Sequence, residues 1–579
     1  MWLFICVQPM KEEVKILEKI VRQYDKDWRK SSISWSIPKG ISADLSLNIS
    51  SLKKKEESVE MVKSIINSFN QCFPTWEFEV VNDYINIKLP LSYYCEFLTD
   101  YFWRNWNLKE KEEKKVIIEF VSANPTGFLH LAHFRQAFIG DALANIYGFQ
   151  GYKVTREYYI NDKGNQIKDL ADSVFYYYQS LSSCCQSTKK EEEIKYPGIS
   201  SRQAAIFLKK KWKDRFFKDK GECILFKKEI ISFMLRKIRL DLSRCKVFFD
   251  KWVSEEELFQ RNKSRMKKAL LGWEKKKLVY WNDGSLFFKS TLSEDDKDRV
   301  LIKRNGEYTY FLNDIFYHQE KLSRAQLLIT VLGPDHHGYV QRLLNACFFL
   351  LNYSKDNITI IMTEMINLLL PEGTKTKFSK RAGNTISLTE ALKHIQINQL
   401  KFFCLEKDHR REINLNKEVL EEKQEKSLLY YIHYAVVRCF QIIKKTQEEK
   451  HLKELNFSFN FQRENWLKNG RALKLYALQT IASKDFKLNL EEEDREICNV
   501  ISQFFLVLEN VLTHNQPHIL IYYLLKLSKC WQIYYQKNVV LDVNNIGSTK
   551  QRLCLTKIVQ IVLCTGLRLL GFYQIPSQM

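Results

Sequence analysis

The sequence predicts an α/β protein in three parts: a doubly wound parallel-sheet (Rossmann-like) domain carrying an insertion, an α+β domain before it, and an all-α helical bundle after it. Strand and helix patterns alternate from Val116 to about Tyr159 and resume from Tyr308 to Leu388, as in a parallel sheet assembled from strand–helix–strand units. A charge-rich segment, Lys189-Lys190-Glu191-Glu192-Glu193, interrupts that alternation and reads as part of a solvated insertion at about 170–295. Beyond Arg411 the pattern becomes long amphipathic helices, Leu428 to Ile443 and His518 to Tyr535, and no strand alternation competes with it. The expected bounds are therefore 1–112, 113–410 and 411–579.

Taken in order, the first part mixes a helical start, Lys11 to Trp28, with short strands, of which Tyr84 to Leu89 alternates clearly. The second opens on a strand, Val116-Ile117-Ile118-Glu119-Phe120, which runs into a Pro125/Gly127 turn and then His130-Leu131-Ala132-His133 before a helix through Phe138, Ile139 and Leu143. A strand-turn-helix of this kind aims backbone N–H groups at an anion. Two histidines three apart at the helix start lie along one edge and can donate to phosphate oxygens. Taken alone, such a pair is more often structural than functional.

Lys377-Phe378-Ser379-Lys380-Arg381 places three cations around a serine just before Ala382-Gly383-Asn384. In a chain with 90 Lys and Arg, an isolated run like this reads first as a solvated basic loop. Both stretches together, in this order, point instead to a nucleotide site that activates a carboxylate, because developing charge on a polyphosphate needs such partners.

These two stretches resemble the HIGH and KMSKS motifs of class I aminoacyl-tRNA synthetases, and their surroundings resemble the arginyl members. The stretch Glu119 to Gln166 follows that pattern nearly throughout, as do Asp295 to His318, Gly333 to Leu343 and Lys377 to Leu388. The ending Pro576-Ser577-Gln578-Met579 resembles the proline-to-methionine ending usual in that family. The match is loose only in the first hundred residues and from about Ser180 to Trp212. The resemblance implies a HIGH-type catalytic domain, an appended N-terminal domain that touches the tRNA elbow, and a C-terminal anticodon-binding bundle. It implies ligation of arginine to tRNA through an arginyl adenylate.

The specificity has a physical argument of its own. Guanidinium is a planar cation with five donors, and separating it from lysine or citrulline calls for carboxylates placed to match it bidentately. Glu119, which ends the first strand, and Asp314, four residues after Tyr310 on one helical face, are the candidates. By resemblance Glu119, Ser122, Asn124, Tyr310, Asp314 and Gln341 correspond to arginine-contacting positions. His130 and His133 are assigned to the α-phosphate, and Lys377 and Lys380 to the departing pyrophosphate, with Ser379 between them. Gly333, Asp335 and His337 resemble the contacts to adenine and ribose. Magnesium is expected with the phosphates. Tyr430, Tyr434 and Arg438 recur at i, i+4 and i+8 on the first long C-terminal helix, where they either pack in a core or stack on tRNA bases.

Two positions depart from the family pattern. Ala132 stands where glycine is usual, and its methyl group is expected to crowd the adenine. Phe378 stands where methionine is usual and keeps an apolar anchor. Two other readings compete: a class I synthetase for a different amino acid, against which Glu119, Tyr310 and Asp314 speak, and a silent tRNA-binding scaffold, against which both histidines and both loop lysines speak.

Composition agrees with this assignment. Hydrophobic residues at 45 % and aromatic residues at 13 % describe a globular protein, and a net charge of +22 suits a polyanionic partner. Residues 411–579 carry 23 Lys and Arg against 17 Asp and Glu, which is no strong local excess. Fourteen cysteines include an adjacent pair, Cys184-Cys185, but no CxxC, so neither structural zinc nor a disulfide framework is expected. The apolar start Met1 to Val7 lacks a basic leader, and Ile558 to Tyr573 is too short to span a bilayer. The expectation is a cytoplasmic monomer partnered by its cognate arginine tRNA, L-arginine and ATP, with no membrane.

Overall fold

Lys115–Glu119 (β5 below) reads Lys-Val-Ile-Ile-Glu, and its three β-branched residues are all buried. That is the continuous apolar run of a parallel strand covered on both faces. In the computed structural model it is the central strand of the largest sheet. The structure describes residues 8–24, 35–36, 43–50, 58–99, 114–182, 190–217, 223–369, 375–376, 388–392, 395–416, 427–448 and 488–576. Lys377, Phe378, Ser379, Lys380 and Arg381 lie outside the described residues, as do Cys184-Cys185, the segment 577–579 and the side chain of His337.

The chain begins with α1 (Gln8–Tyr24), β1 (Trp35–Ser36), β2 (Leu45–Asn48), α2 (Ser58–Cys72), β3 (Glu77–Val81), β4 (Tyr84–Lys88) and α3 (Leu91–Thr99). Its strands form an antiparallel sheet in the order β1-β2-β4-β3, an α+β unit. There follow β5 (Lys115–Glu119), α4 (Leu131–Phe149), β6 (Lys153–Ile160), and the helices α5 (Asn165–Ser180), α6 (Ile199–Trp212) and α7 (Ile224–Arg244). Next come β7 (Lys251–Ser254), α8 (Glu255–Lys275), β8 (Val279–Asn282), β9 (Ser285–Phe288), β10 (Arg299–Ile302), α9 (Tyr310–Leu322), β11 (Leu327–Leu332), α10 (His337–Phe349) and β12 (Ile358–Met362).

The main sheet is parallel, in the order β12-β11-β5-β6-β7. From β5 the chain winds outward through β6 and β7, and β11 and β12 lie on the other side, so the topological switch point falls between β5 and β11. Ligands bind at the carboxyl ends of strands at such a point. Val116 and Ile118 belong to a core shared with α4, whereas Ile117 packs with Leu322 and Leu343 from α9 and α10 on the opposite face. Helix α4 comes close to the strand end because Gly140 permits it: a Cβ there would stand 2.2 Å from Phe120 Cγ.

The edge strand β7 lies inside the stretch read as an insertion, so that stretch returns to the main sheet before leaving it again. Tyr158 of β6 stacks on Trp252 of β7 with centroids 4.3 Å apart. Helices α5 to α7 carry a separate aromatic core that includes Tyr178, Phe216 and Phe226.

The remaining elements are β13 (Ile366–Leu369), β14 (Lys375–Thr376), α11 (Leu388–Ala391), α12 (Ile397–Glu406), β15 (Ile413–Asn416), α13 (Leu428–Glu448), α14 (Arg495–Ser502), α15 (Phe504–His514), α16 (His518–Lys537) and α17 (Ile546–Leu569). The expectation of helices alone beyond Arg411 needs one correction, since Ile413–Asn416 is a strand paired in parallel with β13. Four residues are too few for a local period to declare itself, and the strand exists through its distant partner. Helix α13 packs with α16 and α17, and Trp531 is fully buried in that bundle.

Among the described residues, the stretch Glu492–His514 is long and apolar enough to cross a membrane. It breaks near Gln503 into α14 and α15, and 61 % of its most apolar window is buried within the protein. The bundle also touches the first domain: Arg495 Nη1 donates to the Leu89 carbonyl at 2.6 Å, and Asn499 Nδ2 to Asp44 Oδ1 at 2.8 Å.

Candidate functional site

Beyond β5 the backbone turns sharply through two positive φ values, 70° at Val121 and 36° at Ser122. A β-branched residue rarely adopts such a conformation, and strain of this kind survives only where surrounding structure enforces it. Its result is that the Ser122 hydroxyl folds back to donate to Glu119 Oε1 at 2.9 Å, while accepting from the Tyr159 N–H at 3.1 Å. The other Glu119 oxygen accepts from Lys321 Nζ at 2.7 Å, in an ion pair buried on both sides. Burial opposes ionisation of Glu119, but the Lys321 ammonium outweighs it and holds the carboxyl below the usual carboxylate range.

Helix α9 brings Tyr310, Asp314, His318 and Lys321 along one face. Thr309 caps it, accepting from Leu312 N at 3.3 Å. Asp314 accepts from the Tyr339 hydroxyl; packing around it, aided by the Glu119 charge, pushes its pKa up to about 7. Burial pushes His318 down to about 3, so its ring is neutral, and its Nδ1 lies 2.8 Å from the Asp314 carbonyl. Tyr310 is 53 % exposed. Its hydroxyl rests against Gly164 (φ 88°), where a Cβ would stand only 1.7 Å away.

A third acid converges here that the sequence reading missed. Glu255, the first residue of α8, is 1 % exposed, and neither of its oxygens has a donor in good hydrogen-bonding geometry, although the Asn313 amide lies beside it. Burial, and then the Asp314 charge, push it up to about 7. Ser254-Glu255-Glu256-Glu257 reads as an ordinary capped, acidic helix start, and nothing local separates Glu255 from its neighbours. Lys321 was missed too, although its spacing, eleven residues after Tyr310 and seven after Asp314, places it on the same helical face.

On the nucleotide side, His130 and His133 stand half-buried at the start of α4 with ring centroids 3.7 Å apart. His133 Nδ1 accepts from the His130 N–H at 3.1 Å. In the neutral ring the proton must therefore sit on Nε2, which makes that atom a donor. One turn on, Gln136, in the amide orientation that satisfies both neighbours, donates to the Val121 carbonyl at 3.3 Å and accepts from the Gly333 N–H at 3.1 Å. The ends of β5 and β11 are thereby tied to the same helix.

Asp335, exposed beyond β11, lines a cavity of about 430 Å³ together with Asp296, Arg299, His336, Tyr339 and Arg342. His336 feels the charges of both Asp335 and Glu119, so this cavity adjoins the acidic pocket. Thr376, the residue before Lys377, is paired with Leu368 of β13, and Ala132 is buried in the first turn of α4.

Two polar candidates use their amides within the protein. Asn124 Nδ2 donates to Gln166 Oε1 at 2.8 Å, and Gln341 Nε2 to Asn345 Oδ1 at 3.3 Å. Tyr430, Tyr434 and Arg438 do not enter the core: Tyr434 is exposed, Tyr430 and Arg438 are half-buried, and Arg438 donates to the Tyr434 hydroxyl at 2.7 Å.

Comparison with known proteins gives the family and the fold. Residues 101–438 match the model of the class I (R) tRNA synthetase catalytic domain, and residues 432–579 match the DALR anticodon binding domain. The chain is 33 % identical over 461 residues to the arginine–tRNA ligase of Listeria monocytogenes serotype 4a, covering 79 % of this chain and 77 % of that one. It is 34 % identical over 469 residues to that of Geobacillus kaustophilus, covering 80 % and 78 %. The fold matches the Thermus thermophilus arginyl-tRNA synthetase with a TM-score of 0.69 at 17 % identity, over 98 % of this chain and all of that one. It matches the Plasmodium falciparum arginyl-tRNA synthetase with a TM-score of 0.70 at 16 % identity, over 99 % of this chain and all of that one.

Proposed function

The chain belongs to the class I arginyl-tRNA synthetases, and on that premise we propose that the acid-lined end of β5 seats the guanidinium of L-arginine beside an ATP site at the start of α4. The reaction is ligation of arginine to tRNA. The observation that carries the site assignment is the convergence of Glu119, Asp314, Glu255 and Tyr310 beyond β5, the strand from which the chain runs on to His130 and His133 at the start of α4.

In the first step an arginine carboxylate oxygen bonds to the α-phosphorus of ATP, and the bond to the bridging oxygen breaks to release pyrophosphate. The carboxylate is already ionised, so the step needs alignment and charge stabilisation more than a general base. His133 Nε2–H and the neighbouring His130 donate toward the α-phosphate, Gly333 and Asp335 with His337 contact adenine and ribose, and Lys377, Ser379 and Lys380 meet the pyrophosphate. Magnesium arrives as the ATP complex. In the second step a hydroxyl of the terminal ribose attacks the acyl carbonyl and AMP leaves. Ser122, Asn124 and Gln341 are assigned to the arginine backbone groups, and Tyr430, Tyr434 and Arg438 to tRNA. The proposed domain bounds remain 1–112, 113–410 and 411–579, and the proposed state is a cytoplasmic monomer.

Arginine-dependent ATP–pyrophosphate exchange, measured with and without tRNA, tests the reading. Exchange driven by a different amino acid, or tRNA binding with no exchange at all, overturns it.

Two outcomes follow from particular residues. Arginine affinity should fall as the pH is lowered from 8 to 6. Asp314 and Glu255 titrate near 7 in the free protein, guanidinium pairs with their ionised forms, and each proton that binding must displace costs about tenfold over that range, so about a hundredfold if both ionise. Titration calorimetry across this window checks it, and a flat dissociation constant removes both acids from the pocket. Ala132→Gly should lower the KM for ATP by about three- to tenfold, since glycine permits closer approach of the adenine. An unchanged or higher KM ends that idea.

A further inference from the structure

The positive charge of this protein is concentrated in one stretch. Residues 199–277 carry 24 Lys and Arg against 10 Asp and Glu, an excess of 14 in a chain whose whole excess is 22. Within that stretch the structure separates two kinds of cation. On and around α6 and α7 most of them are engaged: Arg202 with Glu191, Lys209 with Asp214, Lys211 with Glu229 and Arg244 with Asp241. Arg215 lies over the ring of Trp212 and Arg236 over that of Phe207.

On α8 the situation is reversed. Leu258, Met266, Leu270 and Trp273 are buried in the protein, and the side facing water carries mostly cations, together with Leu271 and the acids Glu257 and Glu274. Arg261, Arg265, Lys268 and Lys275 fall at i, i+4, i+7 and i+14, one edge of the helix, while Lys263 and Lys267 line the other. Only Arg261 has a carboxylate partner among the described residues, Glu320 at 3.5 Å. Lys263, Arg265, Lys267, Lys268 and Lys275 are exposed and make no ion pair or ring contact there.

The helix is also anchored at one end. Its first residue, Glu255, is part of the acidic pocket, and at 1.5 Å per residue the cations begin about 9 Å along the axis and continue to about 30 Å. A row of unneutralised cations leading away from the point of aminoacyl transfer fits an RNA strand whose 3' end must reach that point. Phosphate contacts of this kind set position and register without reading sequence.

We propose that the exposed face of α8 is a phosphate track that carries the acceptor arm of the tRNA into the active site. The proposal rests on the arginine–tRNA ligase reading and adds the surface by which the tRNA end is delivered.

The test is the fourfold variant K263Q/R265Q/K267Q/K268Q in the full-length protein. Glutamine keeps the helix propensity of these exposed positions, and circular dichroism checks that the fold is kept. Its affinity for tRNA, and for an RNA hairpin reproducing the acceptor arm, is expected to fall about tenfold or more. The slope of log K against log salt should shrink by about 2 to 4, close to one for each phosphate that the variant no longer neutralises. Dissociation constants for arginine should stay unchanged. The control R202Q/K209Q/K211Q/R236Q removes as many charges from the engaged set and should leave tRNA affinity within about twofold.

Unchanged affinity and slope in the α8 variant overturn the proposal, as does an equal loss in the control, which would make the effect one of bulk charge. Loss of binding to vesicles of anionic lipid with tRNA binding intact overturns it as well. Failure of the wild-type chain to charge any tRNA counts against the ligase reading instead, and the hairpin measurement then judges the track separately.

Discussion

Lys321→Met should strongly destabilise the protein and should make its stability unusually responsive to arginine. Lys321 is 0 % exposed, its ammonium lies 2.7 Å from Glu119 Oε2 and also sits over the Tyr317 ring at 4.2 Å. Removing one partner of a buried ion pair leaves an uncompensated charge and costs about 3–5 kcal/mol. In the variant the guanidinium of the substrate can take the place of the lost ammonium beside the acid, so saturating arginine should raise the unfolding midpoint by more than it does in the wild type. The double variant Glu119→Gln/Lys321→Met should recover much of the stability and none of the extra response to arginine. Urea unfolding with and without arginine reads both. A single variant within about 0.5 kcal/mol of wild type, the usual range for an exposed substitution, would refute the buried-pair account.

Arg135→Ala should cost about as much stability and should separate turnover from arginine binding. This guanidinium is fully buried two residues after His133, and it donates to the carbonyls of Glu364 at 2.7 Å, Asp408 at 3.0 Å and Arg411 at 2.7 Å. Glu364 precedes β13 and Arg411 precedes β15, so Arg135 holds the starts of those two strands against α4. From that sheet, through Thr376, the chain leads into Lys377. Truncation removes a charged donor from three carbonyl oxygens, of which that of Asp408 keeps the Arg411 N–H at 3.0 Å, and a buried acceptor left unsatisfied costs about 1–3 kcal/mol before relaxation. Arg135 acts as a positioning residue: kcat should fall by roughly a hundredfold or more, in line with the effect of misplacing catalytic groups by about 1 Å, with little change in the dissociation constant for arginine. Arg135→Lys should restore part of kcat, having one charged donor where the fork had several. A folded Arg135→Ala protein with near-normal kcat would remove the role.

The parts of the site legible in the sequence are those whose signal is local. His130 and His133 are three apart at a helix start, Glu119 ends a run of β-branched residues, and Tyr310 and Asp314 share a helical face. Each follows from a period or a turn that a few neighbouring residues define. Lys321 lies on that same face and could have been read from its spacing, but a lysine near a helix end has an ordinary explanation as a dipole-compensating surface charge. Glu255 offered no such handle, since three consecutive acids after a capping serine look alike until one of them is covered. Arg135 was hidden for the same reason, and its acceptors stand more than two hundred residues away.

By itself the amino-acid sequence determined the α/β class, the strand-turn-helix that presents two histidines, and the excess of positive charge, because periodicity, turn chemistry and composition act over short distances. Tertiary structure alone decided which charges are buried and which are spent on one another. It paired Glu119 with Lys321, drew Glu255 toward Asp314, hung β15 on β13, and left most cations of α8 facing water while most of those on α6 and α7 found partners. Burial and pairing depend on what the rest of the chain brings alongside, and a carboxylate or an ammonium acquires its role from that surrounding.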